Sequence, residues 1–374
     1  VYPGQMDSTF VPVRSHHYDP ELTFDFCVNE PAWSNQAGIH SAFGSTDRLY
    51  FRKEVPVNHD NDLSSSYSTT VWRGERANAQ ILVWSSEALE QVRVSTQDLR
   101  SAEGNIIPKD RITFELVRYV LSNYPYAEKK AICGESPYKS GFLMPDRFET
   151  LDRFDLPSQT TRPVWMMVDV PRGTAPGTYK GKVEVRAKGK APQLLNLEIV
   201  VQNQLLPYPK DWKYRLDLWQ NPWAVAWYNH VEPWSPEHKM LLKQHLKHYA
   251  DAGGTYITTY GVHSPWSDNS YMIEGGMIEW IKKADGTWAF DYKIFDEYVE
   301  LAMECGIDEA ITLYTPIPWG FRHRYKDEAT GDYSYINWAP SSEEFKKMWN
   351  IFLTDFKFHL EAKSWLDITY IGIN

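Results

Sequence analysis

The sequence predicts a multidomain protein in which an N-terminal antiparallel β-sandwich is followed by a (β/α)8 TIM-type barrel. Two observations predict this fold class. Apolar and polar residues alternate along the first part of the chain, and strand and helix signals alternate along the second part. Two close prolines in "NQLLPYPKDWK" (203–213) indicate a stiff linker between these parts. We expect the sandwich at residues 1–205, the linker at 206–213 and the barrel at 214–374.

Short alternating runs between turn signals predict the strands of the sandwich. They are "AQILVWSSE" (79–87), "QVRVSTQDL" (91–99), "ITFELVRYVL" (112–121), "VWMMVDV" (164–170), "KGKVEVRAKG" (180–189) and "LLNLEIVVQN" (194–203). In the last run Leu195, Leu197, Ile199 and Val201 fall on one face. A period of two with one polar face is typical of an antiparallel sheet. Residues 122–162 are irregular and polar, and their structure stays unassigned.

The second part alternates between predicted strands and helices. Strands are expected at 214–220, 255–261, 309–315 and 368–374, and helices at 235–254, 294–306 and 341–363. Ser235 is the expected N-cap of the first helix, and Ser341 with Glu344 forms the expected capping box of the third. Two long segments, 262–293 and 316–340, are expected as inserts after strands.

Alternating strands and helices predict a parallel sheet. A doubly wound sheet is the rival arrangement, but no glycine-rich phosphate loop follows any predicted strand. Only about four βα units are present, so the sequence would contain the N-terminal half of a barrel and stop at the tip of its fourth strand. Half a barrel would have an open apolar edge. We therefore expect this sequence to be part of a longer chain, although a different fold is the alternative.

The composition narrows the class of partner. The net charge is −10, which argues against nucleic acid or an anionic membrane surface. Aromatic residues make up 15% of the chain, with 16 Trp and 23 Tyr. Flat aromatic rings cover the apolar faces of sugars, but the same residues also fill large β-rich cores. Composition alone leaves these two interpretations open.

Aromatic and polar residues follow each predicted barrel strand. The candidate substrate-binding residues are Asp217, Trp219, Gln220, Tyr260, His263, Trp266, Tyr314 and Trp319, and Arg322 and Asn374 also lie at strand ends. In a barrel the functional residues follow the carboxyl ends of the strands, so these side chains should surround one pocket. Rings and amide groups together suit a neutral, polyhydroxylated ligand.

Each candidate also has a purely structural interpretation. Asp217 could hold a buried Arg or Lys, and His263 could cap a loop. Trp266 and Trp319 follow prolines and could anchor loops, while Trp219 could be buried at a strand end without any ligand. The argument for a pocket therefore depends on four strand ends of the same type taken together.

Ordered motifs in the second part resemble the catalytic domain of glycoside hydrolase family 123, the exo-acting β-N-acetylgalactosaminidases. These motifs are "LDLWQNPW" (216–223), "VEPWSPEH" (231–238), "ITTYGVHSPW" (257–266), "MIEWIKKADGTWAFDYKIFDEYVE" (277–300) and "LYTPIPW" (313–319). The first part, with "VWMMVDVPRGTAPGTYKGKVEV", is similar to the β-sandwich that precedes the barrel in this family. The resemblance extends over nearly the whole chain.

The resemblance implies a retaining, substrate-assisted mechanism. The 2-acetamido carbonyl of the substrate attacks its own anomeric carbon and forms an oxazolinium-type intermediate. One residue orients the acetamide N–H, and a neighbouring carboxylic acid protonates the leaving oxygen, unlike the two-carboxylate arrangement of most glycosidases. In the family these two residues are an adjacent Asp–Glu pair at the tip of the fourth strand.

Asn374 aligns with the Asp of that pair, and the general acid/base Glu would be the next residue, after the last one of this sequence. The Asn departs from the family pattern. It can accept a hydrogen bond from the acetamide N–H, but it offers no full negative charge to the developing oxazolinium. We therefore expect Asn374 to mark the acetamide-orienting position.

Three functions follow as hypotheses. The first is a glycoside hydrolase that releases terminal β-linked N-acetylgalactosamine from an oligosaccharide or glycoconjugate. The alternative is a non-catalytic carbohydrate-binding or glycan-capture protein on a degenerate glycosidase scaffold, for which Asn374 is the main support. A conventional two-carboxylate glycosidase is the third.

No metal-binding or nucleotide-binding motif occurs in the sequence, and the resemblance implies no cofactor. Relatives in glycan-degrading bacteria imply an exported protein of the periplasm or cell surface. The odd number of cysteines excludes a disulfide framework, although Cys27 and Cys133 could pair. No apolar run approaches the roughly 20 residues of a membrane span.

Overall fold

A computed structural model describes residues 30–58, 63–122, 142–265 and 275–373. The described chain divides into two compact units, with the boundary between Leu206 and Pro207. No helix in the described ranges is long and apolar enough to cross a membrane. The possible pair Cys27 and Cys133 lies outside the described residues.

The first unit consists of β-strands in two main sheets. The strands are β1 (His40–Gly44), β2 (Ser66–Arg73), β3 (Arg76–Ser85), β4 (Leu89–Thr96), β5 (Leu99–Ser101), β6 (Ile106–Ile107), β7 (Ile112–Ser122), β8 (Phe142–Thr150), β9 (Phe154–Leu156), β10 (Thr160–Asp169), β11 (Gly177–Arg186) and β12 (Gln193–Leu205). One sheet has the order β1-β3-β10-β7-β8, and the other has the order β2-β12-β11-β4-β9, with β5 and β6 beside β11. These sheets fit a β-sandwich.

The inward faces of these strands supply the core of the first unit. On β12, Leu195, Leu197, Ile199 and Val201 are at most 2% exposed, which confirms the predicted apolar face. They pack in one cluster with residues of both sheets, including Ile81 from β3. The alternation in the sequence is therefore the pattern of a sheet with one buried face.

Two features of this unit differ from the expectation. β2 and β12 pair in parallel, whereas a wholly antiparallel sheet was predicted. These two strands are far apart in the sequence, so no hairpin fixes their relative direction. The segment left unassigned contains β8, β9 and the start of β10. β8 pairs with β7 across a register shift next to Tyr119, which lies opposite Pro145, and this irregularity interrupts the alternation.

The second unit contains four helices and seven strands in the described residues. The helices are α1 (Pro222–Asn229), α2 (Pro236–Asp251), α3 (Lys293–Glu304) and α4 (Glu343–Lys363). The strands are β13 (Tyr256–Tyr260), β14 (Glu279–Lys282), β15 (Trp288–Asp291), β16 (Ala310–Tyr314), β17 (Arg322–Asp327), β18 (Tyr333–Asn337) and β19 (Thr369–Gly372). The expected inserts thus form strands of their own.

These strands form two sheets. The first is parallel, with the order β13-β16-β19, and β13 and β16 are in register from Tyr256 opposite Ala310 to Tyr260 opposite Tyr314. The second has the order β15-β14-β17-β18. The described residues therefore contain a three-stranded parallel sheet and do not form a closed barrel.

Helix ends follow the capping rules. Ser235 accepts a hydrogen bond from the backbone N–H of His238, as predicted, and Pro236 occupies the first turn of α2. The predicted cap at Ser341 is wrong by one residue. Ser342 is the N-cap of α4, because its hydroxyl accepts from the backbone N–H of Phe345. α1 was not predicted, although Asn221 caps it and Pro222 begins it.

The predicted strand at 214–220 is wrong. Only Leu216 forms a bridge, with Gly254, and the bridge is parallel. The hydroxyl of Tyr249 takes the place of further backbone hydrogen bonds to a neighbouring strand. It lies 2.7 Å from the carbonyl oxygen of Leu216 and accepts a hydrogen bond from the backbone N–H of Leu218 at 3.3 Å. A side chain of α2 thus satisfies polar groups that a neighbouring strand would otherwise pair.

An aromatic cluster forms the core around the second sheet. Trp280 of β14 is 2% exposed, stacks on Phe352 of α4 at 4.8 Å between ring centroids, and contacts Trp349 at 5.5 Å. His323 of β17 lies in the same cluster and accepts a hydrogen bond from Nε1 of Trp349. Many of the tryptophans in the sequence are therefore core residues, as the structural interpretation of the composition allowed.

Candidate functional site

The carboxyl ends of the parallel strands lie side by side. Tyr260 at the end of β13 is opposite Tyr314 at the end of β16, and Tyr314 is opposite Gly372 at the end of β19. Parallel strands place their carboxyl ends at one edge of the sheet, where loops gather functional side chains. This edge is the candidate site.

Trp219 is the exposed ring of the candidate site. Its side chain is 57% exposed, and its ring lies 4.9 Å from the ring of Tyr314 between centroids, at an interplanar angle of 45°. Tyr314 itself is buried, so it supports Trp219 from below. A half-exposed indole on a fixed support is suited to cover the apolar face of a sugar ring.

Tyr260 and Gln220 lie beneath this surface. Tyr260 is 1% exposed, stacks on Trp223 at 5.4 Å, and donates its hydroxyl to the carbonyl oxygen of Gln220 at 2.7 Å. The side-chain oxygen of Gln220 accepts from the hydroxyl of Tyr298 at 3.3 Å. These contacts fasten the segment that carries Trp219 to the core, which is a supporting role.

Asp217 is exposed and joins the same segment to β13. Its carboxylate accepts a hydrogen bond from Oγ1 of the buried Thr258 at 3.1 Å. The alternative in which Asp217 holds a buried Arg or Lys has no support among its described contacts. Thr258 is the middle residue of β13, so the carboxylate lies beside this strand and has one oxygen already bonded.

His263 lies just beyond the end of β13 and remains neutral at neutral pH. Burial lowers its pKa to about 4, and the positive charges of Arg324 and Arg322 lower it further in the same direction. His263 is therefore close to two guanidinium groups that come from β17. The imidazole offers a neutral donor or acceptor, not a cation.

The remaining candidates are placed differently. Trp319 is 44% exposed, and its backbone N–H donates to the carbonyl oxygen of Pro265 at 2.9 Å, so it joins the loops after β13 and β16. Trp266 and Asn374 lie outside the described residues. Among the residues that the structure describes, Trp219 contacts Tyr314 at this edge. His263 and Trp319 lie in the loops that follow β13 and β16, and Asp217 lies beside β13.

Sequence reasoning missed two residues near the candidate site, of which Tyr249 contacts the amino end of β13. Tyr249 lies in the middle of a helix, and nothing in its position indicates that its hydroxyl contacts the segment before Trp219. Arg324 follows Arg322 at a spacing of two in "FRHRYK" (321–326), which is a strand signal that was read as an insert. In the described parts of the chain, no group of three or more His, Cys, Asp or Glu side chains could hold a metal ion.

Two family models match the chain. The catalytic domain model of glycoside hydrolase 123 matches residues 219–374, and the N-terminal domain model of glycoside hydrolase 123 matches residues 43–187. The first match begins at Trp219 and covers the candidate site except Asp217. No curated protein matches the chain significantly.

A solved structure agrees with these matches. A family 123 glycoside hydrolase from Clostridium perfringens, studied for glycolipid glycan hydrolysis, is 28% identical with a TM-score of 0.80. The match covers 90% of this chain and 58% of that chain. A PapD-like domain of human CEP192 is 12% identical with a TM-score of 0.24, and the match covers 50% of this chain and 99% of that chain.

Proposed function

The chain belongs to glycoside hydrolase family 123, and we propose that it is a glycosidase which releases terminal β-linked N-acetylgalactosamine. The observation that carries this proposal is the half-exposed ring of Trp219, supported by Tyr314 at the end of a parallel strand. The relative from Clostridium perfringens is described as acting on glycolipid glycans, so a glycolipid or another glycoconjugate is a candidate substrate.

We propose that the parallel sheet is the first part of a (β/α)8 barrel at residues 214–374, preceded by the sandwich at 1–205 and a linker at 206–213. The order β13-β16-β19 follows the order of the chain, and the bridge between Leu216 and Gly254 is also parallel. A doubly wound sheet reverses its strand order at a switch point, whereas a barrel adds each strand beside the previous one. The observed order supports the barrel.

The proposed pocket recognises the sugar by stacking and by hydrogen bonds. Trp219 and Trp319 present exposed rings, Asp217 presents a carboxylate, and His263 presents a neutral imidazole. Gln220, Tyr260 and Tyr314 support these groups, and Trp266 is proposed to contribute another ring. Such a mixture suits a polyhydroxylated ligand with one apolar face.

In the proposed mechanism the substrate supplies its own nucleophile. The acetamide oxygen attacks the anomeric carbon, a bond between them forms, and the bond to the leaving oxygen breaks. Asn374 accepts a hydrogen bond from the acetamide N–H, and the carboxylic acid that the family pattern places next to it gives its proton to the leaving oxygen. Water then opens the oxazolinium ring and returns a proton to the carboxylate, so the configuration at the anomeric carbon is retained.

Two chromogenic substrates test this function in the intact protein. We expect hydrolysis of a β-N-acetylgalactosaminide and none of the matching β-galactoside, because the galactoside has no acetamide nucleophile. The first product should be the β-anomer, as followed by NMR. Comparable hydrolysis of the galactoside would contradict the mechanism and favour a conventional two-carboxylate glycosidase.

The variant Asn374→Asp adds the negative charge found in the family pattern, and we expect it to hydrolyse the substrate faster. Binding of N-acetylgalactosamine without hydrolysis, both by the parent protein and by Asn374→Asp, would favour the alternative, a glycan-capture protein.

We also propose that the protein is exported to the periplasm or cell surface of a bacterium. Fractionation of the native cells tests this location.

A further inference from the structure

The four-stranded sheet of the second unit has one buried and one exposed face. On β17, His323 points into the aromatic core and is 2% exposed, while Arg322 and Arg324 alternate with it and lie on the opposite face. On β18, Tyr333 and Tyr335 share that opposite face and are 49% and 47% exposed. The exposed face therefore carries an alternation of guanidinium groups and phenol rings.

The two arginines lie over the two rings. The Cζ atom of Arg322 lies 3.7 Å from the ring centroid of Tyr335, and that of Arg324 lies 4.2 Å from the ring centroid of Tyr333. In the register of the β17–β18 hairpin, Arg324 is directly opposite Tyr335. Each arginine therefore contacts the tyrosine that is diagonal to it on the neighbouring strand. The hydroxyl of Tyr333 donates to Oε1 of Glu279 at 2.5 Å, which fixes this ring to β14.

Arg324 forms a side-chain hydrogen bond with Tyr335 and interacts with the charge of Glu279, and the remaining guanidinium N–H groups of the two arginines have no carboxylate of the described chain in direct contact. Among the described residues, no carboxylate lies within 4.0 Å of the charged nitrogens of Arg322 or Arg324. A guanidinium that is stacked on a ring still presents its planar fork to a carboxylate or sulfate. Two such forks on alternate residues of one strand point from the same face, about 7 Å apart along the strand.

This positive face lies beside the candidate pocket. β17 begins at Arg322, three residues after Trp319, and the backbone N–H of Trp319 contacts Pro265 in the loop after β13. The charges of Arg324 and Arg322 also lower the pKa of His263 in this loop. Glu279 of β14 is the carboxylate whose charge acts on Arg324, so the two arginines leave a local excess of positive charge in a chain whose net charge is −10. A local excess of positive charge next to a binding pocket attracts an anionic ligand group.

We propose that Arg322 and Arg324 form an anion-recognition subsite beside the sugar pocket, which binds a carboxylate or sulfate group on the sugar next to the terminal N-acetylgalactosamine. The inference depends on the proposed function for the identity of the terminal sugar. It adds that the protein prefers acidic glycans. The stacked, anchored arginines make this site preorganised, because little side-chain freedom remains to be lost when the anion binds.

Three disaccharides test this subsite by isothermal titration calorimetry with the intact protein. Each has a terminal β-N-acetylgalactosamine, and the second sugar is a neutral galactose, a galactose sulfate ester or a glucuronic acid. We expect at least one acidic ligand to bind about tenfold more tightly than the neutral one, and the tighter of the two identifies the group. The preference should weaken as the salt concentration rises.

The variants Arg322→Gln and Arg324→Gln should each remove most of the preference while binding the neutral ligand as before, which also shows that the variant is folded. Lys326→Gln on the same strand and face is the matched control and should keep the preference. Equal affinities for all three ligands, or an acidic preference that survives in both arginine variants, would overturn the subsite. Because calorimetry needs no turnover, an acidic preference without hydrolysis would support the subsite and contradict only the proposed enzyme.

Discussion

Trp219 and Tyr314 stack with their ring centroids 4.9 Å apart, although they are separated by most of the second unit in the sequence. Tyr314 is 2% exposed and ends a parallel strand, whereas Trp219 is 57% exposed. The buried ring of Tyr314 thus fixes the position of the exposed ring of Trp219 relative to the sheet. This pair makes the candidate pocket a preformed surface.

The first prediction concerns the exposed ring. In Trp219→Ala we expect the affinity for N-acetylgalactosamine to fall roughly five- to tenfold, because a ring contact contributes about 1 kcal/mol beyond burial. Stability should change by less than about 0.5 kcal/mol, since the side chain is more than half exposed. Calorimetric binding and thermal unfolding measure the two effects.

Trp72→Ala is the control for this variant. Trp72 is 40% exposed and lies in the first unit, so its loss should leave sugar binding unchanged. If Trp219→Ala and Trp72→Ala bind the sugar equally well, Trp219 is not part of the pocket.

The second prediction concerns the hydroxyl that holds the segment before Trp219. In Tyr249→Phe the carbonyl oxygens of Leu216 and Tyr256, at 2.7 and 2.9 Å from this hydroxyl, lose their partner, as does the N–H of Leu218. We expect the free energy of unfolding to fall by about 1–3 kcal/mol. Sugar affinity should fall as well, because the segment that positions Trp219 is released.

Tyr179→Phe separates these two effects. The buried Tyr179 donates its hydroxyl to the carbonyl oxygen of Ala175 at 2.7 Å, within the first unit. This control should also lose stability, but without any loss of sugar affinity. A Tyr249→Phe protein that binds sugar as tightly as the parent would show that the Tyr249 contacts do not position the pocket.

The alternation of the second part predicted α2, α3 and α4 and the three parallel strands, because helix caps and apolar runs are local signals. The segment at 214–220 has the same local signal as a strand, but its partner groups come from the side chain of Tyr249. A sequence contains no local sign of such a distant hydrogen bond. The prediction of a strand at 214–220 therefore failed because of a tertiary contact, and the alternation of apolar and polar residues was interpreted correctly.

The candidate site, like the fold, was only partly predictable from the sequence. Trp219 was selected because it lies near the end of the predicted strand at 214–220, and its side chain is exposed although that strand is reduced to a single bridge at Leu216. The same rule also selected Tyr260, which is buried under Gln220 and supports the surface from below. The position of a residue at a strand end predicts which edge of the sheet it occupies. Whether its side chain is exposed or buried there depends on tertiary packing. Arg324 was missed because the strand that carries it was read as an insert.

The third prediction concerns Gly372, which lies opposite Tyr314 in the parallel sheet. A Cβ atom at this position would lie 3.0 Å from Cδ2 of Tyr314 and 3.1 Å from Cγ2 of Thr312. In Gly372→Ala the buried ring has to shift, and we expect the free energy of unfolding to fall by about 1–3 kcal/mol. The affinity for N-acetylgalactosamine should fall with it, because Trp219 follows the ring.

Gly173→Ala is the matched control, since an added Cβ there meets no atom within 4 Å. Its stability and its sugar affinity should both equal those of the parent. A Gly372→Ala protein with unchanged sugar affinity would show that Tyr314 does not transmit its position to Trp219.

The fourth prediction concerns pH. His323 is 2% exposed, lies with Nδ1 3.2 Å from the carbonyl oxygen of Phe321, and accepts from Nε1 of Trp349 at Nε2. Its neutral form fits these partners, because Nδ1–H donates and Nε2 accepts. A second proton would point at the N–H of Trp349. Burial is the main cause that lowers its pKa to about 4, although bonds to backbone carbonyls oppose the shift.

The sign of the effect follows from proton uptake. Below its ordinary pKa of roughly 6.5 the unfolded chain protonates His323, whereas the folded chain keeps it neutral until pH about 4. Stability should therefore fall as the pH falls through this window, by on the order of 3 kcal/mol from this residue. His263, whose pKa is also about 4, acts in the same direction.

In His323→Gln we expect a flatter dependence of the unfolding free energy on pH between 6.5 and 4, measured by urea titrations at several pH values. Gln can donate to Phe321 and accept from Trp349 without titrating, so the variant should remain folded at pH 7. The same pH slope in the variant and the parent would contradict a buried neutral His323.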